Sequence, residues 1–265
     1  MFSKREAERY DYPTLSIYND AKSPHFCKQQ LGQVSLRKLN SILYVHIPFC
    51  ANQCIFCNYY KTSNITAELI KTYFKALHKE LDFYSQLFAK QIIIQGIHFG
   101  GGTPSVVPAK YYHDLITHIR NIFILINPVI SFEGNINSLN RIGYIKELRA
   151  AGVNRISFGI QTFDQKIRSF LHLHGDLSAI RDLCNLLKRE GINNYNADLM
   201  FNLPYQTPQC FEEDIEKAFE LGVSAIDLYS LLVYPETIMF QYLREHNLWN
   251  SYSSSFSINQ YLNFQ

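Results

Sequence analysis

The chain has few cysteines, almost no net charge and no long hydrophobic run, and each shortage excludes a class of protein. Six cysteines in 265 residues are too sparse for the disulfide framework of a small secreted domain. The 25 basic and 23 acidic residues leave a net charge of +2, which offers no electrostatic footprint for nucleic acid or an anionic membrane. The longest apolar runs, such as residues 122–126, are far too short to span a bilayer.

The first residues of the sequence are not typical of an export signal, and the overall length allows a large core. Lys4 and Arg5 are not followed by an apolar segment, so the sequence predicts no secretory signal. The missing signal and the sparse cysteines together favour the reducing cytoplasm. At 265 residues the chain can form one barrel-sized domain or two smaller ones.

From residue 42 onward short β-rich runs alternate with longer helical patterns, whereas residues 1–41 are polar and irregular and form a predicted N-terminal extension. This repeated order predicts parallel strands joined by right-handed crossovers. Gly152, Gly191 and Gly222 each stand where a helix is expected to end. The predicted strands are 42–47, 92–99, 129–133, 155–160, 194–200 and 225–231, and the predicted helices are 66–88, 108–123, 139–151, 177–190 and 209–221.

Six strand–helix units suit either a doubly wound sheet or an open partial barrel. In both architectures ligands bind at the carboxyl ends of the parallel strands. The residues that follow each predicted strand are therefore the first candidates for a functional site.

A cluster of three cysteines, Cys50-x3-Cys54-x2-Cys57, follows the first predicted strand directly. Three thiolates within eight residues can reach one metal centre. A cubane iron–sulfur cluster usually takes four cysteine ligands, so three would leave one iron open to bind a substrate. Taken alone, the cluster also suits a structural zinc site with His46 as the fourth ligand. The remaining cysteines lie far apart and are expected to pack as small apolar residues: Cys27, Cys184 and Cys210.

Further motifs follow the second to the fifth strands. Residues 100–105 begin with three glycines, which let a ligand approach the backbone closely, but they lack the Gly-Lys-Ser/Thr ending of a P-loop. Glu133, Gln161 and Asp198 stand at or near the ends of the next three strands. Each motif also has an ordinary explanation. The glycines could simply form a tight turn, and Glu133 could be a solvated carboxylate. Gln161 could cap a loop, and Asp198 could satisfy neighbouring backbone donors.

Taken together and in this order, these motifs resemble the radical S-adenosylmethionine (SAM) superfamily. The segments His46-Ile47-Pro48-Phe49-Cys50 and Phe56-Cys57 are similar to the branch of oxygen-independent coproporphyrinogen III oxidase, which includes the haem chaperone HemW and haem-utilisation enzymes. The resemblance implies a partial (β/α)6 barrel, an α/β fold, over residues 42–235. Residues 236–265 would then be the start of a truncated or missing C-terminal region.

The resemblance also implies two cofactors, a [4Fe-4S] cluster and SAM. The cluster would be held by Cys50, Cys54 and Cys57, and once reduced it would cleave SAM to a 5′-deoxyadenosyl radical. The implied substrate is a tetrapyrrole, either a porphyrinogen or haem, and the implied electron donor is a flavodoxin or ferredoxin. The alternatives are a HemW-like haem chaperone with little SAM turnover and an inactive, truncated relative. The implied cofactor contacts are Tyr44, Phe56, Gly101, Gly102, Thr103, Glu133, Gln161 and Asp198.

Two positions depart from the family pattern. Tyr59 stands where the decarboxylating oxidases carry a fourth cysteine, and this favours the HemW and haem-utilisation relatives. Leu173 stands where the family usually has an arginine that pairs with the SAM carboxylate, a strong charge-assisted contact that leucine cannot make. Arg168, His172 and His174 are the candidates that could compensate.

Overall fold

The computed structural model describes residues 39–88, 92–173 and 177–248. Its sheet has six strands, all parallel and hydrogen-bonded in the order of the sequence. The sheet curls into a half-barrel, which stays open because no ladder among the described strands joins the first to the last. The predicted partial (β/α)6 barrel is confirmed. The strands are β1 (Leu39–Ile47), β2 (Ile92–Gly101), β3 (Ile124–Gly134), β4 (Arg155–Gln161), β5 (Asn194–Phe201) and β6 (Ala225–Ser230).

Eight α-helices in the described ranges accompany these strands. Four of the five predicted helices agree with the structure to within one residue at each end. The fifth, predicted over 139–151, is two helices, because Gly143 adopts a left-handed φ of 76° between them. The helices are α1 (Ala67–Phe88), α2 (Ala109–Ile122), α3 (Ile136–Leu139), α4 (Tyr144–Ala151), α5 (Gln165–Phe170), α6 (Leu177–Arg189), α7 (Pro208–Glu220) and α8 (Ile238–Glu245).

Other boundaries differ from the sequence-based expectations. β3 begins at Ile124, five residues before its predicted start at 129, and the short helices α5 and α8 were not predicted. Gly152, Gly191 and Gly222 take positive φ angles just after α4, α6 and α7, as expected of residues that end helices. Most of the expected N-terminal extension, Cys27, His174 and residues 249–265 lie outside the described residues.

The main core lies between the sheet and its surrounding helices. Phe99, Phe132 and Phe158 point outward from three neighbouring strands and are fully buried there. Polar side chains such as Ser157 and Asn196 alternate with these aromatic residues and face the inside of the half-barrel. No helix in the described ranges is long and apolar enough to cross a membrane.

A second, smaller apolar cluster lies beyond the carboxyl ends of the strands. It joins Ile55 from the cysteine loop to Leu171, next to α5, and to Met239 of α8. The backbone N–H of Met239 also donates to the carbonyl oxygen of Ile55 at 2.9 Å. These contacts fasten the loop between Cys54 and Cys57 to the end of the barrel.

Candidate functional site

A cavity of about 510 Å³ opens at the carboxyl ends of the strands. Its volume falls within the range of roughly 300–1,000 Å³ that is usual for small-molecule sites. Seven of the eleven residues expected at the site line it directly, whereas Cys50, Cys54, Gly102 and Thr103 do not. The lining comprises Tyr44, Phe56, Cys57, Asn58, Tyr59, Gly101, Glu133, Gln161, Asp198, Met200, Tyr229, Ser230, Leu231, Leu232 and Tyr234.

The three cysteines lie on a loop that is closed at its base. The N–H of Cys50 donates to the carbonyl of Thr62 at 3.0 Å, and the N–H of Thr62 donates to the carbonyl of Pro48 at 2.7 Å. Inside this loop the ammonium of Lys61 donates to the carbonyl of Cys57 at 2.8 Å. The loop therefore has a fixed shape, with its cysteines beside the cavity.

All three thiols are free, and their surroundings disfavour an uncompensated thiolate. Burial and, to a smaller extent, the neighbouring Cys57 and Cys50 together raise the pKa of Cys54 to about 11. Burial also raises the pKa of Cys50. A cationic centre bound to these thiols would compensate the charge of their thiolate forms.

The donor set fits an iron–sulfur cluster better than a zinc ion. Three thiols on one short loop match the ligand chemistry of such clusters. His46, the candidate fourth zinc ligand, lies near other partners, because its Nδ1 is 3.1 Å from the hydroxyl of Tyr44 and its Nε2 is 3.2 Å from the carbonyl of Tyr60. Within the described ranges, no three potential ligands are already gathered in metal-binding geometry.

The glycine-rich segment packs against the start of the cysteine loop. The N–H of Gly102 donates to the carbonyl of Ile47 at 2.8 Å, and the N–H of Thr103 donates to the carbonyl of Phe49 at 2.8 Å. The hydroxyl of Thr103 is 3.4 Å from the sulfur of Cys50. Gly102 and Thr103 thus support the cysteine loop from behind, and Gly101 is the member of the segment that lines the cavity.

Replacing Gly102 with alanine should destabilise this support. A Cβ at Gly102 would lie 2.8 Å from the carbonyl oxygens of both Ile47 and Phe49, and overpacking of this kind typically costs about 1–3 kcal/mol. We expect that loss in urea unfolding, together with reduced iron retention after anaerobic reconstitution. Gly96→Ala is the matched control, because its Cβ would approach no atom closer than 3.4 Å. Equal stability of the two variants would contradict this account.

Glu133 is held in the cavity by two donors. Its Oε1 accepts from Nε2 of His98 at 2.7 Å, and its Oε2 accepts from the N–H of Gly101 at 3.3 Å. The ring of Tyr44 stacks on His98 with centroids 5.7 Å apart. The sequence analysis missed His98, although its position two residues before Gly100 on an alternating strand places it on the inner face of the half-barrel.

Asp198 lies close to other acidic groups, and this perturbs its ionisation. Burial and, to a smaller extent, the charges of Glu133 and Asp227 together raise the pKa of Asp198 to about 7, against smaller opposing effects of Arg155 and His98. Asp227, a second residue that the sequence analysis missed, lies opposite Asp198 in the register of β5 and β6. This side of the cavity is therefore acidic and favours a cationic ligand.

Gln161 reaches the cavity because the end of β4 is irregular. The pairing of β4 with β5 shifts by one residue between Gly159 and Gln161, and Gln161 has a left-handed φ of 69°. A Cβ at Gly159 would lie 2.5 Å from the side-chain nitrogen of Gln161, so only glycine leaves room for that amide. An extra residue of this kind re-aims the side chain that follows it.

The cavity has no basic side chain among its described lining residues. Leu173 packs against the second apolar cluster. Arg168 is buried, with its guanidinium on the backbone carbonyls of Ile160 and Thr162. Neither Arg168 nor His172 lines the cavity, and His174 lies outside the described residues. Among the described residues that line this cavity, none replaces the arginine that the family usually pairs with the SAM carboxylate.

The chain is similar to several curated proteins over most of its own length. It is 34% identical to the heme chaperone HemW of Lactococcus lactis, with 77% of this chain and 52% of that protein covered. It is 33% identical to the anaerobilin synthase of Escherichia coli O157:H7, with 79% and 49% covered. It is 27% identical to the oxygen-independent coproporphyrinogen III oxidase of Paracoccus denitrificans, with 86% and 51% covered. The chain thus spans about half the length of these relatives.

Solved structures and a family model agree with these relatives. The structure of coproporphyrinogen III oxidase (HemN) from Escherichia coli superposes with a TM-score of 0.75 at 27% identity, over 87% of this chain and 52% of that one. The methyltransferase TsrM from Kitasatospora setae gives 0.56 at 12% identity, over 78% and 37%, which concerns the fold alone. The model of the radical SAM superfamily matches residues 44–218. The chain therefore belongs to the radical SAM superfamily, whose cofactors are the [4Fe-4S] cluster and SAM that the sequence predicted.

Proposed function

We propose that this protein is a radical SAM oxidoreductase that cleaves SAM reductively and acts on a tetrapyrrole, either a porphyrinogen or haem. One observation carries the proposal: a loop with three free cysteines borders the same cavity as the groups at the ends of β2 to β5. Parallel strands bring their carboxyl ends to one edge, so groups far apart in sequence can act on one ligand.

In this proposal Cys50, Cys54 and Cys57 would hold the cluster, whose chemistry when bound and reduced would be one-electron cleavage of SAM. The remaining tasks belong to the protein. The carboxylates of Glu133 and Asp198 favour the positive charges of the ligand's ammonium and sulfonium groups. The other expected contacts that line the cavity add hydrogen bonds, close backbone approach and apolar packing: Tyr44, Phe56, Gly101 and Gln161. Gly102 and Thr103 act indirectly, through the cysteine loop that they support.

The mouth of the cavity supports a flat, largely apolar substrate. Tyr59, Tyr229 and Leu232 line it, and each is more than half exposed, at 61%, 53% and 54%. Aromatic rings provide large contact areas for a planar ligand. The names of the relatives, a coproporphyrinogen oxidase and a heme chaperone, point to the same chemical class. A flavodoxin or ferredoxin in the cytoplasm is the proposed electron donor.

A second candidate function is haem binding without significant SAM turnover, as the name of the chaperone HemW suggests. The observation that favours it is the absence of a basic side chain among the described residues that line the cavity. An arginine–carboxylate fork contributes strongly to carboxylate binding, and Leu173 packs instead into an apolar cluster. SAM would then bind weakly, while the aromatic mouth would still hold a tetrapyrrole.

Substrate consumption separates the two candidates. The full chain is reconstituted anaerobically, reduced with dithionite, and supplied with haem or coproporphyrinogen III, with and without SAM. Consumption of either tetrapyrrole only when SAM is present would support the enzyme. Tight haem binding without SAM-dependent loss would support the chaperone. Neither binding nor consumption of either tetrapyrrole would contradict both candidates.

A further inference from the structure

The turn that carries Gln161 has a conformation that the chain must stabilise from outside the turn. A left-handed φ is uncommon for residues other than glycine, and strained backbone of this kind persists only where its surroundings hold it in place. The one-residue bulge at Ile160 further interrupts the ladder between β4 and β5. Gln161 pairs with Leu199 only after this irregularity, so regular alternation along the strand does not set the direction of its side chain.

Arg168 supplies the missing constraint. Its Nη1 donates to the carbonyl oxygen of Ile160 at 2.7 Å and to that of Thr162 at 3.0 Å. These two carbonyls flank Gln161 on either side, so one guanidinium spans the strained residue. Rotation of the peptide group that carries either carbonyl would break one of the two hydrogen bonds, so Arg168 opposes rearrangement of the turn around the left-handed Gln161.

Three further hydrogen bonds hold the same turn. The N–H of Phe163 donates to Oδ1 of Asp214, which lies on α7, at 2.6 Å. Asp164 caps α5 by accepting from the N–H of Ile167 at 2.8 Å, and its own N–H donates to the hydroxyl of Thr162 at 3.1 Å. The cap fixes the start of α5, and α5 in turn carries Arg168.

Arg168 is deeply buried, and burying its charge costs free energy that its hydrogen bonds must offset. The residue is 2% exposed, and burial lowers its pKa, against an opposing effect of the Asp214 charge. A buried charge is tolerated only when hydrogen bonds compensate its lost hydration. The guanidinium lines no part of the cavity, so any influence on a ligand there passes through the turn that it holds.

We infer that Arg168 is a positioning residue that orients Gln161 toward the bound cofactor. This inference rests on the proposed function in one respect, namely that Gln161 contacts SAM. The family arginine, whose position Leu173 occupies here, pairs with the SAM carboxylate. The role inferred for Arg168 is different, because it holds the backbone around Gln161. The guanidinium acts on the protein backbone and never touches the ligand.

A double-mutant cycle between Arg168 and Gln161 tests the inference. The dissociation constant for SAM is measured by equilibrium dialysis on the reconstituted full chain, for the wild type, Arg168→Met, Gln161→Ala and the double variant. We expect Arg168→Met to weaken binding about tenfold in the wild-type background and less than about twofold in the Gln161→Ala background, because coupled residues give non-additive effects. Equal effects in the two backgrounds would overturn the inference.

Arg168→Lys guards against a variant that fails to fold. It keeps the charge but replaces Nη1, which donates to both carbonyls, with an ammonium on a shorter side chain. SAM binding should therefore weaken while the protein stays folded. Amide hydrogen exchange of Phe163 in the ligand-free protein gives a readout that needs no SAM. Exchange should be faster in both Arg168 variants than in the wild type. Unchanged exchange would contradict the claim that Arg168 holds the turn.

The two readouts keep this inference separate from the proposed function. A wild-type protein that binds no SAM would defeat the proposed function and the ligand-directed part of the inference, while hydrogen exchange would still decide whether Arg168 holds the turn. A wild type that binds SAM, combined with additive effects of Arg168 and Gln161, would defeat the inference alone.

Discussion

Replacing Cys50, Cys54 or Cys57 singly with alanine should reduce the iron retained after anaerobic reconstitution to a small fraction of the wild-type value. Three thiolates are the minimum that holds a cubane cluster with one open iron, and two leave it under-coordinated. Iron and sulfide analysis of the desalted proteins measures the effect. SAM cleavage should fall with the iron content.

Cys210→Ala is the matched control for the cysteine variants. Cys210 is also a free, half-buried cysteine, but it lies at the start of α7 and lines a different surface. Its removal should leave the iron content unchanged. Iron that is lost equally from Cys210→Ala, or retained fully by Cys54→Ala, would contradict the assignment of the cluster to the loop between residues 50 and 57.

The affinity for SAM should rise about fivefold to tenfold as the pH rises from about 6 to about 7.5. A carboxyl with a pKa near 7 changes from mostly protonated to mostly ionised over this range. The pKa of Asp198 is about 7, raised by burial and by Glu133 and Asp227. Below this pKa the carboxyl is protonated and neutral, and above it the carboxylate attracts the cationic ligand. Equilibrium dialysis at several pH values measures the dependence.

The other charged groups around Asp198 provide the controls. Asp198→Asn should remove most of the pH dependence, and Asp227→Asn should move it to lower pH, because a like charge no longer raises the pKa of Asp198. Asp182→Asn, on the exposed face of α6, should change nothing. Arg155 and His98 oppose the rise and stay in place in all three variants. An unchanged pH dependence in Asp198→Asn would exclude this carboxyl as its source.

The same perturbed pKa has a consequence for the ligand-free fold. Because the folded protein holds the Asp198 proton more tightly than the unfolded chain does, this group stabilises the fold fully at a pH below the ordinary pKa of aspartate. That contribution is lost as the pH rises through about 7. A bound cation would reverse this preference by favouring the carboxylate.

Much of the fold follows from local patterns in the sequence. The strand–helix rhythm predicted every strand of the sheet, because buried parallel strands are short apolar runs and the helices between them are long and amphipathic. The carboxyl ends of such strands meet at one edge. For this reason the strand pattern alone groups Glu133, Gln161 and Asp198 as one candidate site, and all three line the cavity.

The features that the sequence analysis missed depend on contacts between distant segments. The bulge before Gln161 is a property of the pairing of β4 with β5, and its one sign in the sequence is the isolated Gly159 within the strand. The direction of Arg168 depends on the position of α5 against the end of that strand. Asp227 faces Asp198 only because β5 and β6 pair in one register.

Release of 5′-deoxyadenosine from SAM tests the central claim most directly. The full chain is reconstituted anaerobically, reduced with dithionite and incubated with SAM, beside the triple Cys50/Cys54/Cys57→Ala variant and Cys210→Ala. The account predicts release by the wild type and by Cys210→Ala, and none by the triple variant. A wild type that holds its iron but releases no more 5′-deoxyadenosine than the triple variant would contradict it.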